Sequence, residues 1–340
     1  MMLKVLEKDR LPAFLEGLQE EGELCAPVRK DGAFIFAPVS SPAEVAYDYP
    51  TTILPPKKFF LPPWETLLRF RRSSWVIEPA VDSTDRVIFG MHPCDIHATW
   101  LLDEILSETP GDPPYLSRRR RAAIVGLDCT HPCDSYAFCR SMNTHNVETG
   151  FDILLTDLGD VYMVQVDTPR GMELLERHAQ TGEVRYEHRI RMRTIQRDKE
   201  DWPRPLEVSL DELPWLLGES FDSLLWDVLG ERCLACGSCN LVCPTCYCFD
   251  VQDNLALDLD QGERVRRWDS CQLLGFAKVA SGENFRERRS DRQRHRFLRK
   301  GKYLRERYGR FACVGCGRCA RACVVGINPV EVYNQLKGGV

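Results

Sequence analysis

The 340-residue sequence lacks the marks of several classes of protein. No stretch approaches the ~18 consecutive apolar residues that a membrane helix needs. The opening MMLKVLEKDR is already charged at Lys4, Glu7 and Lys8, so no export signal is expected and any membrane contact would come through a partner. No G-x-G-x-x-G motif follows a strand-like run, which argues against this chain binding a nicotinamide dinucleotide itself. No tandem repeat is visible beyond two short cysteine motifs. With 44% hydrophobic and 28% charged residues the chain reads as soluble and globular, long enough for one large domain or two ordinary ones.

What it has in plenty is cysteine, with 16 residues, about 5% of the chain. Disulfide frameworks suit short secreted domains, and this chain is neither short nor expected to be exported, so metal ligation in a reducing, cytoplasmic setting fits better. The cysteines are grouped. Four lie between 94 and 139, seven between 233 and 271 and four between 313 and 323. Cys25, alone near the start, is expected to be a small buried hydrophobe.

Two motifs stand out. CLACGSCNLVCP gives Cys233, Cys236, Cys239 and Cys243, and CVGCGRCARACV gives Cys313, Cys316, Cys319 and Cys323. Both have the C-x2-C-x2-C-x3-C spacing of bacterial [4Fe–4S] ferredoxins, whose fourth cysteine ligates the other cluster. The expected sets are therefore Cys233, Cys236, Cys239 and Cys323 for one cluster, and Cys313, Cys316, Cys319 and Cys243 for the other. Gly237, Gly315 and Gly317 allow the tight turns between ligands. Val324 stands where the first motif has Pro244, a turn-shaping and not a ligating position. Paired C-x2-C zinc sites are the alternative, but two such quartets seldom hold zinc. Two clusters of about −2 each take the formal charge from −5 to roughly −9, so cations are expected close by.

Sixty-nine residues separate Cys243 from Cys313, far more than a minimal ferredoxin uses. This insertion, about 246–310, carries Cys246, Cys248 and Cys271. A C-x-C pair in extended chain puts both thiols on one face, and Cys271 can return to meet them, with His295 or a partner's residue completing a metal site. Otherwise the three pack around the nearer cluster. The insertion ends in the basic run 285–310, with twelve Lys or Arg against three acids. We expect a solvated or partner-facing helix that offsets cluster charge, in preference to a nucleic-acid surface. A third pool, Cys94, Cys129, Cys133 and Cys139, could hold a third cluster, with Asp95 as substitute ligand and Asp134, His92, His97 and His131 nearby. The plainer alternative is a set of buried thiols.

The expected architecture is α+β: a mixed α/β domain over 1–220, then a dicluster ferredoxin-like domain over 221–340. Within the first, apolar spacing predicts a helix over 9–20 that buries Leu11, Phe14, Leu15 and Leu18 and stops at Gly22. Strands are predicted at 86–90 and 121–127, a helix at 94–106 and a hairpin over 152–166 turning near Gly159. Proline-rich 53–65 is expected to be a rigid extended loop pressed on a neighbour. Residues 185–215 are expected to be a connector, and 221–232 a helix capped by Ser220.

HPCDIHA with LLDEIL, YAFCRSM, FDILLTDLGDVYMV, CLACGSCNLVCPTCYCFDV, RRWDSC and CVGCGRC, beside ILPPKKFF, together resemble the beta subunit of cytoplasmic sulfhydrogenases over nearly the whole chain. These are NAD(P)-linked group 3 [NiFe] hydrogenases, also described as sulfur reductases. The chain is similar, too, to the corresponding subunit of anaerobic sulfite reductase and to iron–sulfur subunits of flavin oxidoreductase–heterodisulfide reductase assemblies. Relatives often show Y-C-F-C where this chain has Tyr136-Ala137-Phe138-Cys139. The resemblance implies a non-catalytic subunit that relays single electrons between a flavin subunit using NAD(P)H and the small subunit of the hydrogenase. FAD, NAD(P)H and the [NiFe] centre would then belong to partners. No C-x2-C pair suited to nickel lies near either terminus. The same relay could instead end at a sulfite or heterodisulfide reductase, and a self-contained reductase using the extra cysteines is the third possibility.

Overall fold

The computed structural model describes residues 2–339. Eleven strands make two sheets among the described residues. They are β1 (Met2–Glu7), β2 (Glu23–Lys30), β3 (Ala33–Pro38), β4 (Trp64–Arg71), β5 (Val76–Pro79) and β6 (Arg86–Met91). Then come β7 (Ala122–Leu127), β8 (Ile153–Asp157), β9 (Val161–Val166), β10 (Phe249–Leu255) and β11 (Gln261–Trp268).

The larger sheet has the order β1-β9-β8-β7-β6-β2-β3. Its centre is parallel across β2, β6, β7 and β8, and its flanks are antiparallel. Every residue of β7 and β9 is buried, as a sheet covered on both faces requires. Leu11, Phe14, Leu15 and Leu18 of the helix Leu11–Leu18 are buried in its core. Gly22 ends this segment at φ 153, where a Cβ would lie 2.4 Å from the Asp85 carbonyl oxygen. The helix Pro93–Ser107 follows β6, and β8 turns into β9 through Gly159 at φ 108. Cys25 is fully buried in β2, and burial pushes its thiol up to about 12.

The second sheet, β10-β11-β4-β5, is antiparallel and joins the cysteine-bearing insertion to the first region. Hydrophobic alternation in the sequence does not reveal it, because β10 and β5 bury few side chains. The seam is ionic: Arg266 Nε donates to Glu65 Oε1 at 2.7 Å, and Arg118 bonds the other carboxylate oxygen.

Three local expectations are corrected. Residues 186–200, part of the expected connector, form a 15-residue helix. Its last turn is anchored where Lys199 Nζ donates to Asp128 Oδ1 at 2.5 Å and Asn146 Oδ1 at 3.0 Å. The helix before Cys233 starts at Leu225, and Ser220 instead closes the preceding helix while its carbonyl accepts from Trp226 Nε1 at 2.7 Å. The segment 53–65 contains a helical turn at Pro56–Phe59, which buries Lys57. That ammonium donates to the Cys246 carbonyl at 2.5 Å and lies 4.4 Å from the Trp268 ring centroid.

Candidate metal centre

The two cysteine motifs fold alike. Gly237 at φ 79 and Gly317 at φ 71 each start a single helical turn, Ser238–Leu241 and Arg318–Arg321, that carries the third cysteine and leads to the fourth. Ala235 and Gly315 occupy the matching place one turn earlier, at φ 54 and φ 64. Beneath both turns lies an apolar cluster in which Phe297 meets Trp226 at 5.9 Å and Tyr333 edge-on at 5.5 Å between centroids.

Cys233, Cys236, Cys239 and Cys323 line one cavity, and Cys243, Cys246, Cys313, Cys316 and Cys319 line a second. Cys239 and Arg296 belong to both linings, so the cavities are neighbours. Donors converge on the sulfurs. Gln293 Nε2 reaches Cys233 Sγ at 2.8 Å, and the amides of Ala235 and Ile327 reach Cys233 and Cys323 at 3.3 Å each.

The basic run supplies the cations, but not as a wholly solvated helix. The helix Arg289–Leu298 and the π-helical turn Arg299–Tyr303 set Arg292, Arg296 and Lys300 at intervals of four, and Arg292 and Arg296 are buried. Lys300 Nζ lies 3.2 Å from Cys243 Sγ and 2.7 Å from Thr245 Oγ1. Burial disfavours the charges of Lys300 and Arg296, yet the surrounding cysteine sulfurs outweigh it and hold both groups above their ordinary range. Neither cation has an ion-paired carboxylate among the described residues, so the cavities favour an anionic occupant. Burial raises the thiols of Cys239 and Cys313 to about 12, and metal ligation is what would hold them as thiolates. No three His, Cys, Asp or Glu side chains among the described residues gather around a point suited to one ion. The cysteines frame spaces instead, the arrangement a polynuclear group needs, and the donor set fits [4Fe–4S] cores.

The N-terminal pool gathers at the ends of β6 and β7, where α/β sheets carry functional groups. Cys129 and Cys133 line a polar cavity of about 300 Å³ together with His92, His131 and Asp128. Cys133 is held below the ordinary thiol range by its bond to Cys129 and by His92. Cys94 and Cys139 pack with Val314 and Cys316 of the second motif. Asp95 is not available as a substitute ligand, because Arg318 holds both its oxygens at 2.6 and 2.8 Å. Asp134 pairs with Arg321 at 2.6 Å, and His97 bonds the Asn146 carbonyl at 2.8 Å.

Cys246, Cys248 and Cys271 line a further cavity, and His295 is outside its lining. The cysteine motifs alone do not single out Gln293, Arg296, Lys300 or Arg318. The four-residue spacing of Arg292, Arg296 and Lys300 was the available signal for two of them.

Residues 232–327 match the 4Fe-4S dicluster domain, so this is an iron–sulfur protein of the dicluster class. Over 339 residues the chain is 38% identical to sulfhydrogenase 2 subunit beta of Pyrococcus furiosus, an alignment covering 98% of each chain. It belongs to the sulfhydrogenase beta-subunit family and is an iron–sulfur electron-transfer protein. No solved structure matches the chain. Among the described residues no helix is long and apolar enough to cross a membrane.

Proposed function

We propose that this chain is the iron–sulfur relay of a cytoplasmic, NAD(P)-linked [NiFe] hydrogenase complex, binding the hydrogenase small subunit on one side and a flavin-bearing partner on the other. Cys233, Cys236, Cys239 and Cys323 would hold one cubane, and Cys313, Cys316, Cys319 and Cys243 the other. The observation that carries this is the pair of adjoining cysteine-lined cavities walled by Arg296 and Lys300. When bound, the cubanes supply one-electron chemistry, so hydride exchange falls to a flavin on a partner. The chain's own residues keep the cavities dry, donate to the sulfurs and balance their charge. Cys236 is exposed, as are Leu234 and Val324 close by, which supports electron exchange with a partner at that edge.

Cys94, Cys129, Cys133 and Cys139 are proposed as ligands of a third cluster, supported by the packing of Cys94 and Cys139 against Cys316. Iron analysis of the anaerobically purified chain should give at least about eight atoms per chain. A value near four would sink the two-quartet assignment. Replacing Cys94 by Ser should remove one EPR signal and leave the ferredoxin-motif signals intact, and an unchanged spectrum would reduce this pool to buried thiols. Co-purification with nickel-bearing and flavin-bearing partners tests the relay itself; sirohaem in their stead would redirect it.

A further inference from the structure

The long insertion between the cysteine motifs ends in a helix whose one face meets both cysteine-lined cavities. We propose that Gln293, Arg296 and Lys300 on that face are positioning residues that set the two reduction potentials together. Gln293 acts on the first cluster, Lys300 on the second, and Arg296, shared by both, keeps them level. This deepens the two-quartet reading and rests on it.

The three residues are spaced by three and then four, so they fall on one side of the continuous helical stretch 289–303. Of the two cavities, Gln293 lines the one of Cys233, Cys236, Cys239 and Cys323, where its Nε2 donates to Cys233 Sγ at 2.8 Å. Lys300 lines the other and lies 3.2 Å from Cys243 Sγ. Arg296 belongs to both linings, and its guanidinium is hydrogen-bonded to Cys319. Its Nη1 also lies 3.5 Å from Gln293 Oε1. A polar path therefore runs from Cys233 of one ligand set, through Gln293 and Arg296, to Cys319 of the other.

Packing holds this face in place. A Cβ at Gly230 would stand 2.6 Å from the Ser290 amide nitrogen, so the helix Leu225–Arg232 lies directly against the start of Arg289–Leu298. Gln272 Nε2 donates to the Arg292 carbonyl and Arg289 Nη1 to the Cys233 carbonyl, each at 2.8 Å. Arg292 has a different task, since its Nη1 donates to the carbonyls of Arg286 and Glu287. Gln293 and Arg296 are 1% and 6% exposed, so water screens them little.

No carboxylate lines either cavity among the described residues. Reduction adds one negative charge to a cluster, and a buried cation or a hydrogen bond to a ligating sulfur stabilises that charge. A cation beside one cluster alone raises that potential alone and opens a step between the two. Lys300 does so at the second cluster, the Gln293 bond offsets it at the first, and Arg296 lifts both. An electron passing between them then meets no large uphill step.

The test is an EPR-monitored redox titration of the full chain, purified anaerobically with its iron, with the signals assigned through Cys236→Ser and Cys316→Ser. Arg296→Met should lower both potentials by about 60 mV, a tenfold change for a one-electron couple. Arg296→Lys, which keeps the charge, should leave both close to the unmodified values. Gln293→Leu should lower mainly the first potential and Lys300→Met mainly the second; the reverse order would overturn the division of roles. A shift of one cluster alone in Arg296→Met, no shift in either, or equal shifts in Arg296→Lys would overturn the shared role and leave the quartets standing. If Arg296→Met loses iron, Arg296→Gln takes its place, polar but uncharged. Loss of iron there as well would make Arg296 a folding element and overturn its effect on potential. A single titrating cluster in the unmodified chain would sink the quartets first, and this assignment with them.

Discussion

Arg318 grips Asp95 across 223 positions of sequence, Nη1 to Oδ1 at 2.6 Å and Nη2 to Oδ2 at 2.8 Å, with both side chains at most 2% exposed. Its Nε donates to the Thr52 carbonyl at 2.9 Å as well. Arg318 sits between Gly317 and Cys319, so this one guanidinium ties the second cysteine motif to the first turn of the helix after β6.

Removing one member of such a pair leaves the other charge buried and unmatched, at a cost of about 3–5 kcal/mol. Asp95→Ala should destabilise the chain by that much in anaerobic denaturant unfolding. Asp95→Ala combined with Arg318→Met should recover part of the loss. A double variant as unstable as the sum of the singles would show that the pair is not coupled.

The crossed ligand sets make a paired prediction. Cys323→Ser should perturb the EPR signal of the cluster held by Cys233, Cys236 and Cys239. Cys243→Ser should perturb the one held by Cys313, Cys316 and Cys319. The opposite pattern would mean that each motif serves its own cluster.

Lys300 should tune the second cluster. Its ammonium lies 3.2 Å from Cys243 Sγ, and reduction adds negative charge that the ammonium stabilises. Lys300→Met should therefore lower the reduction potential by about 60 mV, equivalent to a tenfold change for a one-electron couple. An EPR-monitored redox titration with no shift would remove Lys300 from this role.

Gly315 and Ala235 separate two reasons for a glycine. Both have left-handed backbone, so that conformation is open to alanine here. At Gly315, however, a Cβ would stand 2.6 Å from the backbone of Cys139, whose neighbour Phe138 donates to the Gly315 carbonyl at 2.7 Å. Gly315→Ala should destabilise by about 2 kcal/mol or more, through overpacking against a backbone that cannot yield. Ala235→Gly should stay within about 1 kcal/mol. Equal effects in unfolding measurements would return the explanation to φ alone.

Much of the larger sheet was legible because its signals are local. Leu11, Phe14, Leu15 and Leu18 recur at helical spacing, and the strands at 86–91 and 122–127 are largely apolar runs. The smaller sheet was hidden for the opposite reason. The side chains of β10 are half-buried or exposed, and those of β5 are all exposed, so hydrophobic periodicity carries no trace of their pairing. The helix 186–200 was obscured by its charge, since only His188 and Lys199 within it are buried. Asp95 looked like a ligand because it follows Cys94; its commitment to Arg318 depends on a residue 223 positions away.

The sequence by itself determined the two ferredoxin motifs and the family, because ligand spacing within one loop is a property of a dozen neighbouring residues. The tertiary structure decided which cysteines share a cavity and which cations face them. It also decided that Cys248 and Cys271 meet. Those relations depend on two hairpin ends, a proline-rich turn and a basic helix closing on one another, and only long-range packing brings them together.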